Sequence, residues 1–228
     1  SGDFLYSLLN EQLANITNYT VGMDLSILRE KFREHILKME SKYIRFFVGR
    51  NHFVLYHLQV VVLQDGERRL NEECVDGILG LRQDLNAAGE LSLLKKIFHV
   101  QRAFFFHRFE DISFDVNNIT DVISEEVHQL RPVYLMGIFF EGLVSFQCAR
   151  LTNDEARAKW VEKGESALAK MLCWTEHCRW NFESKMLLLK AERMRVSGEF
   201  ARAEDLYTRS IRSARDHEFV HEEAIASE

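Results

Sequence analysis

Pro132 is the only proline in a chain of 228 residues. Proline breaks helices and marks turns, and glycine, present only 11 times, is the other common punctuator. A chain with so few of both has few places to turn. An all-β protein would need many more, so long helices joined by short loops are what the sequence allows. Hydrophobic residues at 46% and charged residues at 28% make a globular chain rather than a disordered one.

The apolar spacing divides the chain into helices. Phe4, Leu5, Leu8, Leu9, Leu13 and Ile16 follow one helical face within 3–20. Asp24 predicts the cap of a second helix with a stripe of Leu25, Leu28, Phe32, Ile36, Leu37 and Met39. A third runs from His52 to Gln64 and stops at Asp65-Gly66. Asn71, Glu72 and Glu73 start a fourth running through Leu85, weakened by Gly77 and Gly80, and Ala88-Gly89 marks a break after it. Residues 90–107 form the next, with Leu91, Leu94, Ile97, Phe98 and Phe104 to Phe106; a linker over 108–117 and a helix over 118–130 follow. Pro132 suits the first turn of a helix running to about Arg150, because its missing N–H costs nothing there. Thr152 and Glu155 match a capping box for a helix ending near Cys178. Helices over 182–197, 200–217 and 219–228 complete the chain, which stops inside the last as a piece of a longer protein would. About ten helices taken in pairs predict an all-α helical solenoid, one domain over 1–228.

Charge and cysteine narrow the function. The formal net charge is −6 with both signs interleaved, so no basic face is offered to nucleic acid. Arg68-Arg69 and the run Arg209 to Arg215 read as solvated helix faces. Cys74, Cys148, Cys173 and Cys178 are too sparse for a disulfide framework and have apolar neighbours, which predicts reduced thiols in a cytoplasmic protein. The sequons at Asn15, Asn18 and Asn118 matter only in a secretory context. No apolar run exceeds four residues, Val60 to Leu63 among them, far too short to cross a bilayer, so no membrane association is expected.

The segment Leu187 to Ile211 reads LLLKAERMRVSGEFARAEDLYTRSI. It pairs a large Leu187 with a small Ala191, turns at Gly198, and continues with Phe200, Ala203, Tyr207 and Ile211. Small residues let two helices approach and large ones fill the adjoining holes. This pattern resembles a tetratricopeptide repeat, clearest over 184–217. Lys190 stands where Leu is usual, Met194 replaces an aromatic, and Arg215 lies where Pro is usual. The resemblance implies a tetratricopeptide-like α-α superhelix. The stretch 106–126 around Phe114 is a fainter echo.

A second resemblance runs through Cys178, Asn181-Phe182, Lys185, Leu188-Leu189, Ala191-Glu192, Arg195, Gly198, Ala203, Leu206-Tyr207, Ile211, Ala214-Arg215, Phe219 and Glu222-Glu223-Ala224, with Gly2-Asp3-Phe4 and Tyr6 at the opening. These residues are similar to the helical-repeat segment of very large signalling ATPases. Such proteins join a serine/threonine-kinase-like domain, an ATPase domain, helical repeats, and GAF and histidine-kinase or cyclase output domains. Trp180 departs from that pattern. The resemblance implies a regulatory, non-catalytic scaffold that binds protein, peptide or neighbouring domains of its own chain, or associates with itself.

No phosphate-cradling glycine loop, nucleophile elbow or kinase signature occurs in the sequence, so no enzyme activity and no cofactor are expected of this segment. The alternative is a helical bundle holding a metal or small ligand through Glu125/His128 and Glu218/His221, with Glu141 and Glu192 completing the set. Against it, acids at helix starts are ordinary surface residues. Cys173, His177 and Cys178 could be imagined as zinc ligands, but lack a fourth, and read as buried thiols beside Trp174. Phe104 to Phe106 and Phe109 read as core. Trp180 and Phe182, at a helix boundary, are the candidate partner surface.

Overall fold

The computed structural model describes residues 2–41, 48–65, 90–112 and 132–228. The helices expected over 71–85 and 118–130 lie outside the described residues, as do Cys74, Arg68-Arg69, Asn118, Phe114, Glu125 and His128. Within the described residues the chain is all-helical, and it divides into two compact units, Ser1–Phe98 and His99–Glu228.

The first unit contains α1 (Gly2–Thr20), α2 (Leu25–Ser41), α3 (Val48–Asp65) and the start of α4 (Glu90–Phe105). Asp24 caps α2 as its sequence position requires, its Oδ1 accepting from the backbone of Ser26 at 2.8 Å and Ile27 at 3.2 Å. Leu28, Phe32, Ile36 and Met39 form the buried stripe of α2. Leu37 does not belong to it and neither does Leu13 of α1: both are exposed, each one step off the stripe that faces the core. Tyr56 is the hub, stacked on Phe32 and edge-on to Tyr19 and Phe98 at centroid distances between 5.1 and 5.6 Å.

Two histidines share this core. Burial holds the His35 imidazole below its ordinary pKa of 6.5, against the pull of Glu11 at 3.5 Å. Burial and the nearby Arg29 charge lower His57 in the same direction. A base whose folded pKa is depressed binds fewer protons folded than unfolded. Its stabilising effect is complete above 6.5 and is lost as pH falls below that value. Glu11 is also lowered: burial opposes this, but Lys38 and His35 outweigh it. Its contribution therefore fades only below about 4.5. Thermal unfolding is expected to begin at lower temperature at pH 5.0 than at pH 7.5, and His35→Leu to make that difference smaller; equal melting at both pH values would show that neither imidazole is desolvated.

The second unit holds the rest of α4, a 3-10 turn at Phe109–Asp111, and α5 (Pro132–Leu151), α6 (Asp154–His177), α7 (Arg179–Val196), α8 (Phe200–Asp216) and α9 (Val220–Ser227). Pro132 opens α5, as its fixed φ favours. The cap of α6 is Asn153, not Thr152: the Asn153 side chain accepts from Ala156 N, three residues on. The Thr152 hydroxyl turns back to the Cys148 carbonyl at 2.9 Å, so it serves the preceding helix instead.

Consecutive helices pack on one another, and α7 packs against α5 as well as α6 and α8. Helix α5 is buried nearly all round. By length and composition it could cross a membrane, although no uninterrupted apolar run in the sequence suggested it; here that apolar surface is covered by protein. The α5–α6 contact is close because of two glycines. A Cβ at Gly164 would lie 2.6 Å from the Phe146 ring, and one at Gly142 would lie 2.9 Å from Leu189.

Helix ends repeat one device. After α7, Gly198 has φ 78°, its N–H donates to the Arg195 carbonyl and the Glu199 N–H to the Met194 carbonyl. This Schellman arrangement needs a left-handed residue, hence glycine. The same pair of bonds ends α8 around Glu218, which has φ 62° without being glycine. A left-handed conformation costs an ordinary L-residue about 1–2 kcal/mol, offset in glycine by about 0.4–1 kcal/mol of extra unfolded-state entropy. Glu218→Gly should therefore raise stability by up to about 1 kcal/mol, read as the urea midpoint; a drop would show that the Glu218 side chain matters more than its backbone.

Candidate functional site

Three buried carboxylates sit on alternate helices of the second unit: Glu141 on α5, Glu192 on α7 and Glu222 on α9. An ionised carboxylate so placed needs a cation or donors. Glu141 has Lys163 of α6 at 3.2 Å. Glu192 accepts from the Tyr207 hydroxyl and from Gln147 at 3.4 Å, with Arg150 at 3.6 Å and Arg195 at 3.7 Å. Burial, and then the Glu192 charge, push the Tyr207 phenol well above its ordinary value, so it stays a donor. Glu222 is held by the Ser184 hydroxyl and the Lys185 ammonium of α7. These groups fasten helices together.

The alternative metal set looks different in this light. Glu141 and Glu192 are committed to internal cations and a phenol. Glu218 lies in the turn before α9, so Glu218 and His221 do not project from one helix as a bundle ligand pair would. Among the described residues no three His, Cys, Asp or Glu side chains gather where one ion could sit.

Cys173 is exposed and Cys178 half-buried, which corrects the buried reading: Cys173 faces away from the Trp160, Lys163, Gly164, Ala167, Leu168 and Met171 stripe of α6. Cys148 is buried, and desolvation raises its thiol to about 11, which keeps it protonated and unreactive. Phe104 is buried, whereas Phe105 and Phe106 are exposed because α4 ends there, although the Phe105 ring still packs 5.4 Å from Phe140.

Of the repeat positions, Leu187, Ala191 and Ala203 are buried and Tyr207 and Ile211 half-buried. Gly198 makes its turn with open space around it. Phe200 opens α8 with 69% of its surface exposed and fills no hole. Ala203, Ser210, Ser213 and Ala214 line the inner face of α8, where small side chains allow a close approach to α7, and the Ser210 hydroxyl donates to the Ser184 carbonyl at 2.8 Å.

The structure separates Trp180 from Phe182. Phe182 turns in against Trp174, centroids 5.5 Å apart. Trp180 is 61% exposed and lies against His217, centroids 4.1 Å apart. His217 lines an open groove of about 400 Å³ between α7 and α8. Its other walls are Arg179, Glu183 and Leu187 from α7 and Arg209, Arg212, Ser213 and Asp216 from α8. Glu183 is bonded to Arg179 and accepts from the Ser213 hydroxyl at 3.4 Å. The Arg179 bond holds its carboxyl below the usual range. The sequence pointed to Trp180 but took Arg209 and Arg212 for solvated positions. Their spacing of three puts them on one face of α8, a signal visible beforehand; that α7 supplies the opposite wall was not.

Comparison of the chain with protein-family models, with curated proteins and with solved structures gives no match.

Proposed function

We propose that the chain is a non-catalytic protein-interaction module of tetratricopeptide-like helix pairs, a regulatory scaffold within a multidomain signal-transduction protein of the cytoplasm. The observation that carries the reading is the packing of α7, which meets α6 and α8 on either side in the chain and α5 beyond them, around the Gly198 turn. A helix that touches more than its immediate neighbours is how stacked helix pairs build a continuous core. The small Ala191 and Ala203 are buried where a tetratricopeptide pair needs them. The buried carboxylates support the same reading, since each is engaged by side chains of the protein and none is left for chemistry. The partner is a protein or peptide, or a neighbouring domain of the same chain; self-association is the other form such a module takes.

Selection from a random dodecapeptide library on the folded chain tests the interaction. Enrichment of peptides that compete with one another for binding is expected, and a library that yields no binder contradicts it. The signalling part has its own test in the reading frame on both sides of this segment. A kinase-like, ATPase or sensor domain is expected there, and a frame encoding none of them removes that part.

A further inference from the structure

The groove between α7 and α8 differs from the rest of the second unit's surface in how its charges are committed. Most surface arginines are paired: Arg193 with Glu165, Arg202 with Glu199, and Arg215 with Glu223 through two bonds. In the groove, Arg179 is bound to Glu183. Among the described residues, Arg209 has only Asp205 of its own helix at 3.5 Å, both exposed, a pair that is readily exchanged. Arg212, among the described residues, makes no hydrogen bond or ion pair. Among the lining side chains three guanidiniums face two carboxylates, Glu183 and Asp216; Glu183 is already satisfied by Arg179 and Ser213, and Asp205, outside the lining, is the carboxylate nearest Arg209. On a chain of net charge −6 these lining side chains are a local positive excess.

We infer that this groove binds a short acidic peptide segment, its carboxylates taken by Arg209 and Arg212 and an apolar side chain set against Trp180 at its edge. The inference deepens the interaction-module reading and rests on it. Guanidinium is planar and matches a carboxylate with two parallel N–H bonds, which makes such a pair stronger and more selective than a lone ammonium. Leu187 is buried beneath the groove, and Trp180, exposed beside His217, supplies a flat apolar rim. A nucleic acid fits less well. Its run of phosphates would meet Glu183 and Asp216, and the acidic chain offers no extended cationic track.

The test is fluorescence anisotropy with the intact chain and three labelled probes. They are the hexapeptide Leu-Glu-Glu-Leu-Asp-Glu, its neutral analogue Leu-Gln-Gln-Leu-Asn-Gln, and a ten-nucleotide single-stranded DNA. The acidic peptide is expected to bind saturably and more weakly as salt rises. The neutral analogue, and the acidic peptide on the Arg209→Ala/Arg212→Ala variant, should each bind at least about tenfold more weakly. Both positions are exposed, so the variant should keep its circular dichroism and melting temperature. Arg202→Ala, outside the groove, should leave binding unchanged. Equal binding of the acidic and neutral peptides, equal binding to the double variant, tighter binding of the DNA, or no saturation by the acidic peptide each overturns the inference. If library selection still yields competing peptides that ignore Arg209 and Arg212, the interaction reading stands and only this groove loses its assignment. If it yields none, both fall.

Discussion

Lys163→Met is expected to destabilise the second unit by about 3–5 kcal/mol, the usual cost of leaving a buried carboxylate without its cation. Lys163 and Glu141 are both nearly fully buried and lie 3.2 Å apart. The aliphatic stem of Lys163 runs beside Trp160, with its ammonium 5.7 Å from the ring centroid, so methionine fills the same space and the lost charge dominates the effect. The double variant Lys163→Met/Glu141→Leu should recover most or all of that loss, because two apolar groups of matching size no longer need each other's charge. Urea unfolding of the three proteins checks this. A single variant as stable as the parent would show that the pair is not a fastening of α5 to α6.

Gly164→Ala separates two opposed effects. In an unconstrained helix interior, alanine stabilises by about 1 kcal/mol over glycine. At Gly164 the new methyl would stand 2.6 Å from Phe146 Cε1, and Phe146 is completely buried with nowhere to turn. Overpacking of this kind costs about 1–3 kcal/mol, and a contact this short in a closed core lies at the upper end, so the net change should be destabilising. Phe146→Leu combined with Gly164→Ala should be less harmful than the sum of the two, since one makes room for the other. A stabilising Gly164→Ala would mean that α5 and α6 are not this close. The same reasoning gives Gly142→Ala a similar sign against Leu189 and Ala167.

Much of the fold was legible because it is written locally. Asp24 and Gly198 act within one turn of chain, and each does in the structure what its type dictates. Near misses came from competition between adjacent residues: Thr152 and Asn153 can both cap, and the amide next to the helix prevailed while the hydroxyl bonded backwards. Leu13 and Leu37 are apolar and helical, yet off the buried stripe; periodicity alone does not reject an exposed leucine. The stretches 66–89 and 113–131 fall outside the described residues, so the helices expected there have no counterpart to compare.

The site was less legible, for a physical reason. Glu141 in an apolar helix looks like a ligand in search of a metal, because its partner Lys163 lies on the following helix and no local spacing connects them. Glu192 poses the same ambiguity, resolved by Tyr207 and Arg150 from two other helices. Arg209 and Arg212 carried the opposite ambiguity. Charges on an exposed face are ordinarily solvated, and only the wall provided by α7 makes a groove of them.

We propose that this helix array works by binding another polypeptide. Amide hydrogen exchange of the intact chain, with and without a saturating library-selected peptide, tests it most directly. Slowed exchange is expected on α7 and α8 around Arg179–Leu187 and Arg209–His217, with α5 and α6 unchanged. Slowed exchange nowhere in the described helices would contradict it.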